Sequence, residues 1–456
     1  MKKGILLVAL LVFSVPAVFS AILTNTNQSI MFFRFPSRNA STDLDAVYYN
    51  PAGLVRLSDG FHIAIHNQTI FQDKTVVNSF LLLNDSEYMG KTRVPVFPNF
   101  YAVYKKKAVA ISFGFGPLAG GGSADYGEGL PSFEVPVSAI PAMLTAAGLP
   151  TNKYSAEISF KGRSVYYGFQ VNASYAISDM VSAAFGIRYV HAVNKYEGEI
   201  KNIQINPIFP ALGWTGQMRS APQAFNTLYT VTGNPTFLYY AASTADMGVD
   251  AKQVGSGFTP IVGLHFSPME NLKVGLRYEF NTKIELENQP TRDDVGMFPA
   301  GEKERADIPP TLSVGADYHL SPAFRISASY SLFMETETNW EDREKLLDGN
   351  SYDLAFALEY DVSRALTFSA GYIYTKSGAG QKYQTDLSFD LGASTFGAGA
   401  RLRLSPRMDI DIGGVYVIYT DFTRKNIAAP SPLLPTYNET YKQTTYAIGI
   451  GFNFHL

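Results

Sequence analysis

The feature that most constrains the fold of this chain is a two-residue period in its apolar residues, which begins near Gly60 and recurs to the C-terminus. In 165–177 one face carries Val, Tyr, Phe and Ile, while the residues between them are mostly polar or small. The same alternation recurs in four further segments, 272–280, 352–360, 366–374 and 446–454. Side chains that alternate in this way lie on opposite faces of a β-strand. The chain therefore predicts a long series of two-faced strands.

The connections between these strands alternate in length along the chain. Short ones lie at 105–107, 178–179, 267–271, 321–322, 363–364 and 405–407, and long ones lie between them. Short turns on one side and long loops on the other are typical of transmembrane barrels. No later stretch holds the roughly 18 apolar residues that a transmembrane helix needs. The pattern predicts an all-β fold, a transmembrane antiparallel β-barrel of about 14 strands with both termini on the periplasmic side.

Residues 1–20 have the features of a secretory signal peptide. Lys2 and Lys3 precede an apolar run over 4–13, and small residues stand before Ala21. The remainder is expected to be exported. The chain contains no cysteine, which excludes disulfides and a lipid-modified cysteine, and its formal net charge of −3 argues against nucleic acid as a partner.

A barrel of this strand number has a lumen too wide for its wall side chains to fill. Residues 21–59 precede the first strand and are placed to plug the lumen from the periplasmic side. They contain an Asn-Pro-Ala-Gly turn, in which Pro fixes φ, Asn can bond its own backbone and Gly tolerates positive φ. The apolar residues beside this turn need a wall to pack against. The sequence predicts three parts: a signal peptide over 1–20, a hatch over 21–59 and a barrel over 60–456.

A compact run before the first strand combines Asp43 and Asp45 with Tyr-Asn-Pro-Ala-Gly-Leu at 49–54. This run resembles the N-terminal hatch of the FadL-type outer-membrane transporters of hydrocarbons and long-chain fatty acids. The resemblance implies a gating hatch formed by Asp43, Tyr49, Asn50, Pro51, Ala52 and Gly53. It also implies that Ile22 and Leu23 line an inner ligand pocket. An ordinary surface turn is the alternative interpretation of the same motif.

Phe33 is a further candidate ligand contact, because the hatch is apolar there where a soluble tail would be polar. The segment around it, Phe-Phe-Arg-Phe at 32–35, departs from the small and glycine-rich sequence usual in the family. The resemblance therefore implies no role for this segment.

The third predicted strand ends in glycine and proline. Gly114, Gly116 and Pro117 are followed by three more glycines at 120–122. Pro cannot donate to a β-ladder and repeated Gly weakens one, so strand pairing is expected to fail here. In the resembled family the third strand carries a kink that opens the wall sideways, which implies a lateral opening at these residues. A flexible start to an extracellular loop is the alternative.

Two long loops are unusually apolar, over 135–149 and over 203–240. Exposed apolar patches of this size usually bind something, so we expect them to capture a hydrophobic small molecule; packing of the two loops on each other as a cap is the alternative. Strand parity also places several cations in the lumen. Arg188, Arg277 and Lys283 are the candidates for binding a carboxylate, and pairing with wall or hatch carboxylates such as Glu279 is the alternative.

The sequence thus predicts a channel in the bacterial outer membrane for passive uptake of hydrophobic small molecules, long-chain fatty acids or aromatic hydrocarbons. Gating is assigned to the hatch and to the break in the third strand. We expect a monomer surrounded by outer-membrane lipid, with no cofactor and no metal, since the six His residues lack ligand spacing. No Gly-x-Ser-x-Gly motif is present, so an enzyme is not expected. Three alternatives remain: a general diffusion porin, a structural surface barrel and an outer-membrane lipid hydrolase.

Overall fold

The computed structural model describes residues 26–456. The predicted signal peptide and the candidate residues Ile22 and Leu23 lie outside the described residues. Within them, fourteen long strands form one antiparallel sheet. The predicted barrel and its strand number are confirmed.

The strands follow one another around the wall in chain order. They are β1 (Gly60–Asn78), β2 (Glu87–Lys106), β3 (Val109–Tyr126), β4 (Tyr154–Ala176), β5 (Val181–Ile205), β6 (Met247–Met269), β7 (Leu272–Glu279), β8 (Thr311–Ser321), β9 (Phe324–Phe333), β10 (Ser351–Asp361), β11 (Leu366–Lys376), β12 (Ala393–Ser405), β13 (Met408–Tyr419) and β14 (Tyr437–His455). The barrel closes because β1 pairs with β14 from His62–His455 to Asn78–Glu439. Four short strands extend its long-loop end, Arg219–Ser220, Glu285–Asp293, Lys303–Arg305 and Phe422–Ile427.

The wall has an apolar outer face and a polar inner face. In β5, Phe185 is 58% exposed and Ile187 45% exposed, whereas Arg188, which lies between Ile187 and the exposed Tyr189, is 3% exposed. This follows from the two-residue period of a strand. A surface of exposed Phe, Ile and Leu suits contact with hydrocarbon.

Several strands are longer than the sequence period indicates. The strand β5 has 25 residues, although a transmembrane strand needs only about 9–11. The sequence predicts a long loop over 71–94, but most of this stretch is strand, since β1 and β2 leave only 79–86 between them. Beyond the bilayer both faces of a strand can be polar, so the alternation that marks it disappears while the hydrogen-bonded ladder continues.

The two apolar loops form helices: α3 (Pro131–Ser138) and α4 (Ile140–Ala146) after β3, and α5 (Ala221–Thr232) and α6 (Thr236–Ser243) after β5. Proline stands in the first turn of α4 and of α5, where a missing N–H costs nothing. Residues of both loops share one buried apolar cluster. The two loops therefore pack on each other as a cap. None of the described helices is long and apolar enough to cross a membrane.

Three short helical turns precede the barrel: α1 (Ile30–Arg34), α2 (Ala46–Tyr49) and a 3-10 turn (Pro51–Arg56). They belong to residues 26–59, which we call the lumenal segment. The turn α1 contacts β11 to β14, and the 3-10 turn contacts β2 to β6. The segment thus crosses the lumen from one wall to the other.

Candidate functional site

The wall leaves room for the lumenal segment at glycines that face inward. A Cβ at Gly275 would lie 2.1 Å from the Asn39 carbonyl oxygen, and one at Gly397 would lie 2.2 Å from the Phe33 carbonyl oxygen. Real Cβ atoms do not approach an oxygen this closely. Backbone of the segment therefore lies directly on backbone of the wall, which no residue with a side chain would allow.

The Asn-Pro-Ala-Gly turn is attached to three neighbouring strands. Asn50 Nδ2 donates to the Leu264 carbonyl over 2.9 Å. The Pro51 carbonyl accepts from Ser174 Oγ and the Ala52 carbonyl accepts from Ser182 Oγ, each over 2.7 Å. The turn is a docking element between the segment and β4, β5 and β6, and it does not lie at the surface.

Gly53 allows the segment to fold back on itself. Its Cβ position lies 2.1 Å from the Ser41 carbonyl oxygen. Tyr49 closes the other end, because its hydroxyl accepts from Gln28 N over 3.0 Å and donates to the Thr26 carbonyl over 2.6 Å. These contacts hold the described start of the chain against α2.

Two of the predicted lumenal cations meet at one carboxylate. Arg188 contacts Glu279 through both terminal nitrogens, at 2.7 and 3.0 Å, and Arg277 Nη1 lies 2.9 Å from the same carboxylate. Both guanidinium groups also lie over the Tyr48 ring, with the Cζ atoms 4.9 and 5.0 Å from its centroid. Pairing with Glu279, the alternative from the sequence, is the arrangement present, and a ligand role for Arg188 and Arg277 stays a prediction.

Lys283 does not face the lumen, which corrects the prediction from strand parity. It is exposed, while its neighbours Thr282 and Ile284 are buried. The strand β7 ends at Glu279, and only an isolated bridge between Thr282 and Ile308 precedes the next strand at Glu285, so the alternation shifts by one residue across the break. The sequence contains no glycine or proline there that could mark the shift.

A second charge network binds α1 to the opposite wall. Arg34 Nε donates to Asp411 over 2.7 Å, and its Nη1 contacts Glu359. Arg401 bridges Asp411 at 3.1 Å and Asp43 at 3.5 Å. Asp43 also pairs with Arg38 at 2.8 Å. The predicted hatch residue Asp43 is thus one link in a chain of buried ion pairs between segment and wall.

Above the segment is a cavity. Polar and charged residues make up about half of its lining, and aromatic and aliphatic residues form the rest; the lining includes Phe32, Tyr48, Tyr49, Arg277, Glu279, Phe333 and Ile373. Phe33 is fully buried against the wall at Gly397 and Gly413 instead. Its helical neighbour Phe32 faces the cavity. A helical period of 3.6 residues over 30–34 would have placed Phe32 and Phe33 in different directions, and this is the sequence signal that distinguishes them.

The wall is interrupted between β2 and β3. Their ladder runs from Lys106–Val109 to Phe100–Phe115, and the next pair is Lys91–Asp125. From Gly116 to Ala119 all four residues are buried, so the strand bends inward there. Pro95 and Pro98 of β2 lie in the unpaired stretch opposite. Sequence reasoning identified the glycines and Pro117 and missed these two prolines, which cannot donate to a ladder either.

Side chains fill the interruption from the lumenal side. Gln28 Nε2 donates to the Pro117 carbonyl over 2.8 Å, and Asn99 Nδ2 donates to Gln28 Oε1 over 3.1 Å. The Cβ position of Gly114, which is still paired with Tyr101, lies 2.9 Å from a methyl group of Val47. The lumenal segment therefore fills the interruption through Gln28 and packs beside it through Val47.

A second, mainly apolar pocket lies at the long-loop end. It is lined by α3, by β4 to β6 and by the loop after Asp293, through residues that include Phe133, Phe160, Ile200, Met247, Met297 and Phe298. Phe298 and its loop were not singled out from the sequence. An apolar wall with few polar groups fits a small hydrophobic ligand.

We expect the stability of the folded loop between β9 and β10 to depend on pH through Glu335. Its carboxylate accepts from Ser351 N over 2.9 Å, and burial raises its pKa to about 7. The folded loop therefore binds a proton more tightly than the unfolded loop. Its stabilisation is complete below the ordinary Glu pKa near 4.5 and is lost as the pH rises to about 7.

We expect protease nicking of 334–350 to accelerate from about pH 5 to about pH 7 and then level off. Glu335→Gln, which cannot ionise, should give a nicking rate independent of pH. An unchanged pH profile in that variant would contradict the assignment.

Three solved structures share the fold over nearly the whole chain. A FadL homologue of Pseudomonas aeruginosa is 12% identical, with a TM-score of 0.62 and coverage of 96% of this chain and 100% of that chain. The toluene transporter TodX of P. putida is 13% identical, with a TM-score of 0.57 and coverage of 91% and 95%. The toluene transporter TbuX of Ralstonia pickettii is 14% identical, with a TM-score of 0.52 and coverage of 91% and 94%. No family profile and no curated protein matches the chain.

Proposed function

Since the chain has the fold of the FadL-type outer-membrane channels, as its hatch motif predicts, we propose that it is a bacterial outer-membrane channel for passive uptake of hydrophobic small molecules. The observation that carries the proposal is the unpaired stretch between β2 and β3 beside a plugged lumen. A general porin needs an open aqueous lumen, whereas here the segment crosses it. Long-chain fatty acids and aromatic hydrocarbons are the cargo classes.

The proposed transport path has three steps: uptake, holding and release. The apolar outer pocket takes up the ligand, and the cavity above the lumenal segment holds it. Release then follows movement of the segment, through the β2–β3 interruption or past the segment into the periplasm. The segment acts as the hatch, because Gln28 occupies the interruption and Val47 packs beside it.

Uptake by intact cells tests the function. Cells that have this chain as their sole transporter of the class should take up a radiolabelled long-chain fatty acid or toluene. Asn50→Ala combined with Pro51→Ala removes the bond to Leu264 and relaxes the turn, so we expect uptake to fall sharply although the barrel still assembles. Asn339→Ala, in an outer loop where its side chain only caps Glu341 N, is the control.

Entry of small sugars without either hydrophobic compound would favour the general porin. Hydrolysis of a supplied lipid by the purified barrel would favour the enzyme. Either result contradicts the proposal.

A disulfide across the interruption tests lateral release. The Cβ position of Gly122 lies 3.8 Å from Thr92 Cβ, which matches the separation of about 3.8 Å usual in disulfides. The chain has no cysteine of its own, so Thr92→Cys with Gly122→Cys adds the only thiols. Oxidation should slow uptake, and a reductant should restore it.

Val103→Cys with Ser112→Cys is the matched control, because these residues already face each other in the paired part of β2 and β3. Its oxidation should leave uptake unchanged. Equal uptake by the oxidised and reduced Thr92/Gly122 variant would exclude lateral release.

A further inference from the structure

Three basic side chains converge at the short-turn end of the lumen. His265 lies in β6 opposite Gly275 of β7, and Lys273 is two residues along the same face, a diagonal separation of roughly 7–8 Å. Arg56 ends the 3-10 turn that packs on β6. Arg56 and Lys273 both act electrostatically on the His265 ring. We call these three side chains the basic cluster.

The basic cluster contains donors that no group among the described residues satisfies. His265 is fully buried, and neither ring nitrogen has a hydrogen-bond partner among the described residues. Nε and Nη2 of Arg56 are buried and equally unpartnered there. A buried donor of this kind is destabilising unless something accepts its hydrogen bond. Within residues 26–456, Lys273 Nζ donates to the neutral Thr42 hydroxyl, over 3.0 Å.

The neighbouring carboxylates are already engaged. Asp43 pairs with Arg38 and Arg401, and Asp317 accepts from Ser327 and lies near Arg325. Asp59, close in sequence to Arg56, pairs with Lys105. Among residues 26–456, no carboxylate forms a salt bridge with Arg56 or Lys273.

We propose that Arg56, His265 and Lys273 form a binding site for an oxyanion, a carboxylate or a phosphate. The guanidinium and ammonium groups supply charge-assisted donors, and the neutral imidazole can present an N–H to the same anion. Ser58 and Asp59 beside Arg56 are exposed, so the site opens toward the periplasmic side. It is separate from the cavity above the hatch and does not depend on the transport proposal.

Calorimetric titration of the purified barrel in a nonionic detergent tests the site. The probes are inorganic phosphate, acetate and submicellar decanoate, at about pH 7. We expect saturable binding of an oxyanion to the parent and binding at least about tenfold weaker to Arg56→Gln, the loss of one charge-assisted hydrogen bond. Arg407→Gln, which removes an exposed cation from a short turn at the same end, should bind like the parent.

The three probes also distinguish the source of the anion. Decanoate binding that is much tighter than acetate binding, with little affinity for phosphate, identifies the head of an amphiphile. Similar binding of phosphate and acetate identifies a free oxyanion. Both results support the site.

A second measurement needs no Arg56 variant. The imidazole NMR signal of His265, identified by its absence in His265→Asn, should shift when the binding probe is added to the parent. Three results overturn the proposal: no saturable binding of any probe, parent-like affinity in Arg56→Gln, or a His265 signal that does not move.

Discussion

Replacing Glu279 by Gln is expected to lower the free energy of unfolding of the barrel by about 3–5 kcal/mol, because it leaves two buried cations without their shared carboxylate. Arg188 and Arg277 are 3% and 5% exposed, and both contact the Glu279 carboxylate. Without the negative charge they repel each other in a medium of low dielectric constant. Equilibrium urea unfolding of the barrel in lipid vesicles measures the change.

Two comparisons identify the cause. Glu197→Gln breaks an exposed pair with Lys195, and should leave the free energy of unfolding nearly unchanged, because solvent screens such a pair. Replacing Arg188, Arg277 and Glu279 together by Met, Met and Leu should cost less than Glu279→Gln alone, because no charge is left uncompensated. A loss in Glu279→Gln no larger than in Glu197→Gln would show that the pairing does not stabilise the barrel.

Gly275→Ala is expected to displace the hatch and open an ion-conducting path through the lumen. The new Cβ would lie 2.1 Å from the Asn39 carbonyl oxygen and 2.6 Å from Asn50 Nδ2. The wall cannot yield easily because Gly275 is hydrogen-bonded into a ladder on both sides, so the lumenal segment must move, at a cost of about 1–3 kcal/mol or more. Conductance in planar bilayers and the denaturant midpoint report the two effects.

Gly414→Ala is the matched control, since it adds the same methyl group to a wall glycine whose nearest neighbour would be 3.4 Å away. We expect it to keep the conductance and stability of the parent. A closed channel in Gly275→Ala would mean that the segment accommodates the methyl group in place, and the assignment of a rigid hatch docked on the wall glycines would then be wrong.

The sequence identified the barrel because the pattern that encodes it is local. Alternation along each strand and the two classes of connection are properties of neighbouring residues, so they indicated the strand number and the wall without any tertiary information. The hatch motif was visible for the same reason, since Asn50 and Pro51 act through their own backbone. The glycines and Pro117 of β3 likewise marked the place where pairing stops.

The charge partners could not be read from the sequence, because they depend on which residues the closed wall brings together. Arg34 and Asp411 are 377 positions apart, and no local rule pairs them. Lys283 was misplaced because a shift of one residue after Glu279 reverses the face of every later side chain. Phe33 was named as the ligand contact because only the apolar character of the segment was considered, whereas the short helical turn directs Phe32 to the cavity and Phe33 to the wall.

The sequence by itself thus determined the type of wall and indicated a segment that lies inside the lumen, since strand periodicity and turn chemistry depend on consecutive residues. Only the tertiary structure decided how the plug is held, through Gly275 and Gly397 on the wall and the pairs at Glu279 and Asp43. Closing the barrel sets these contacts, because the closed wall surrounds the lumenal segment with inward-facing side chains from strands that are far apart in the sequence.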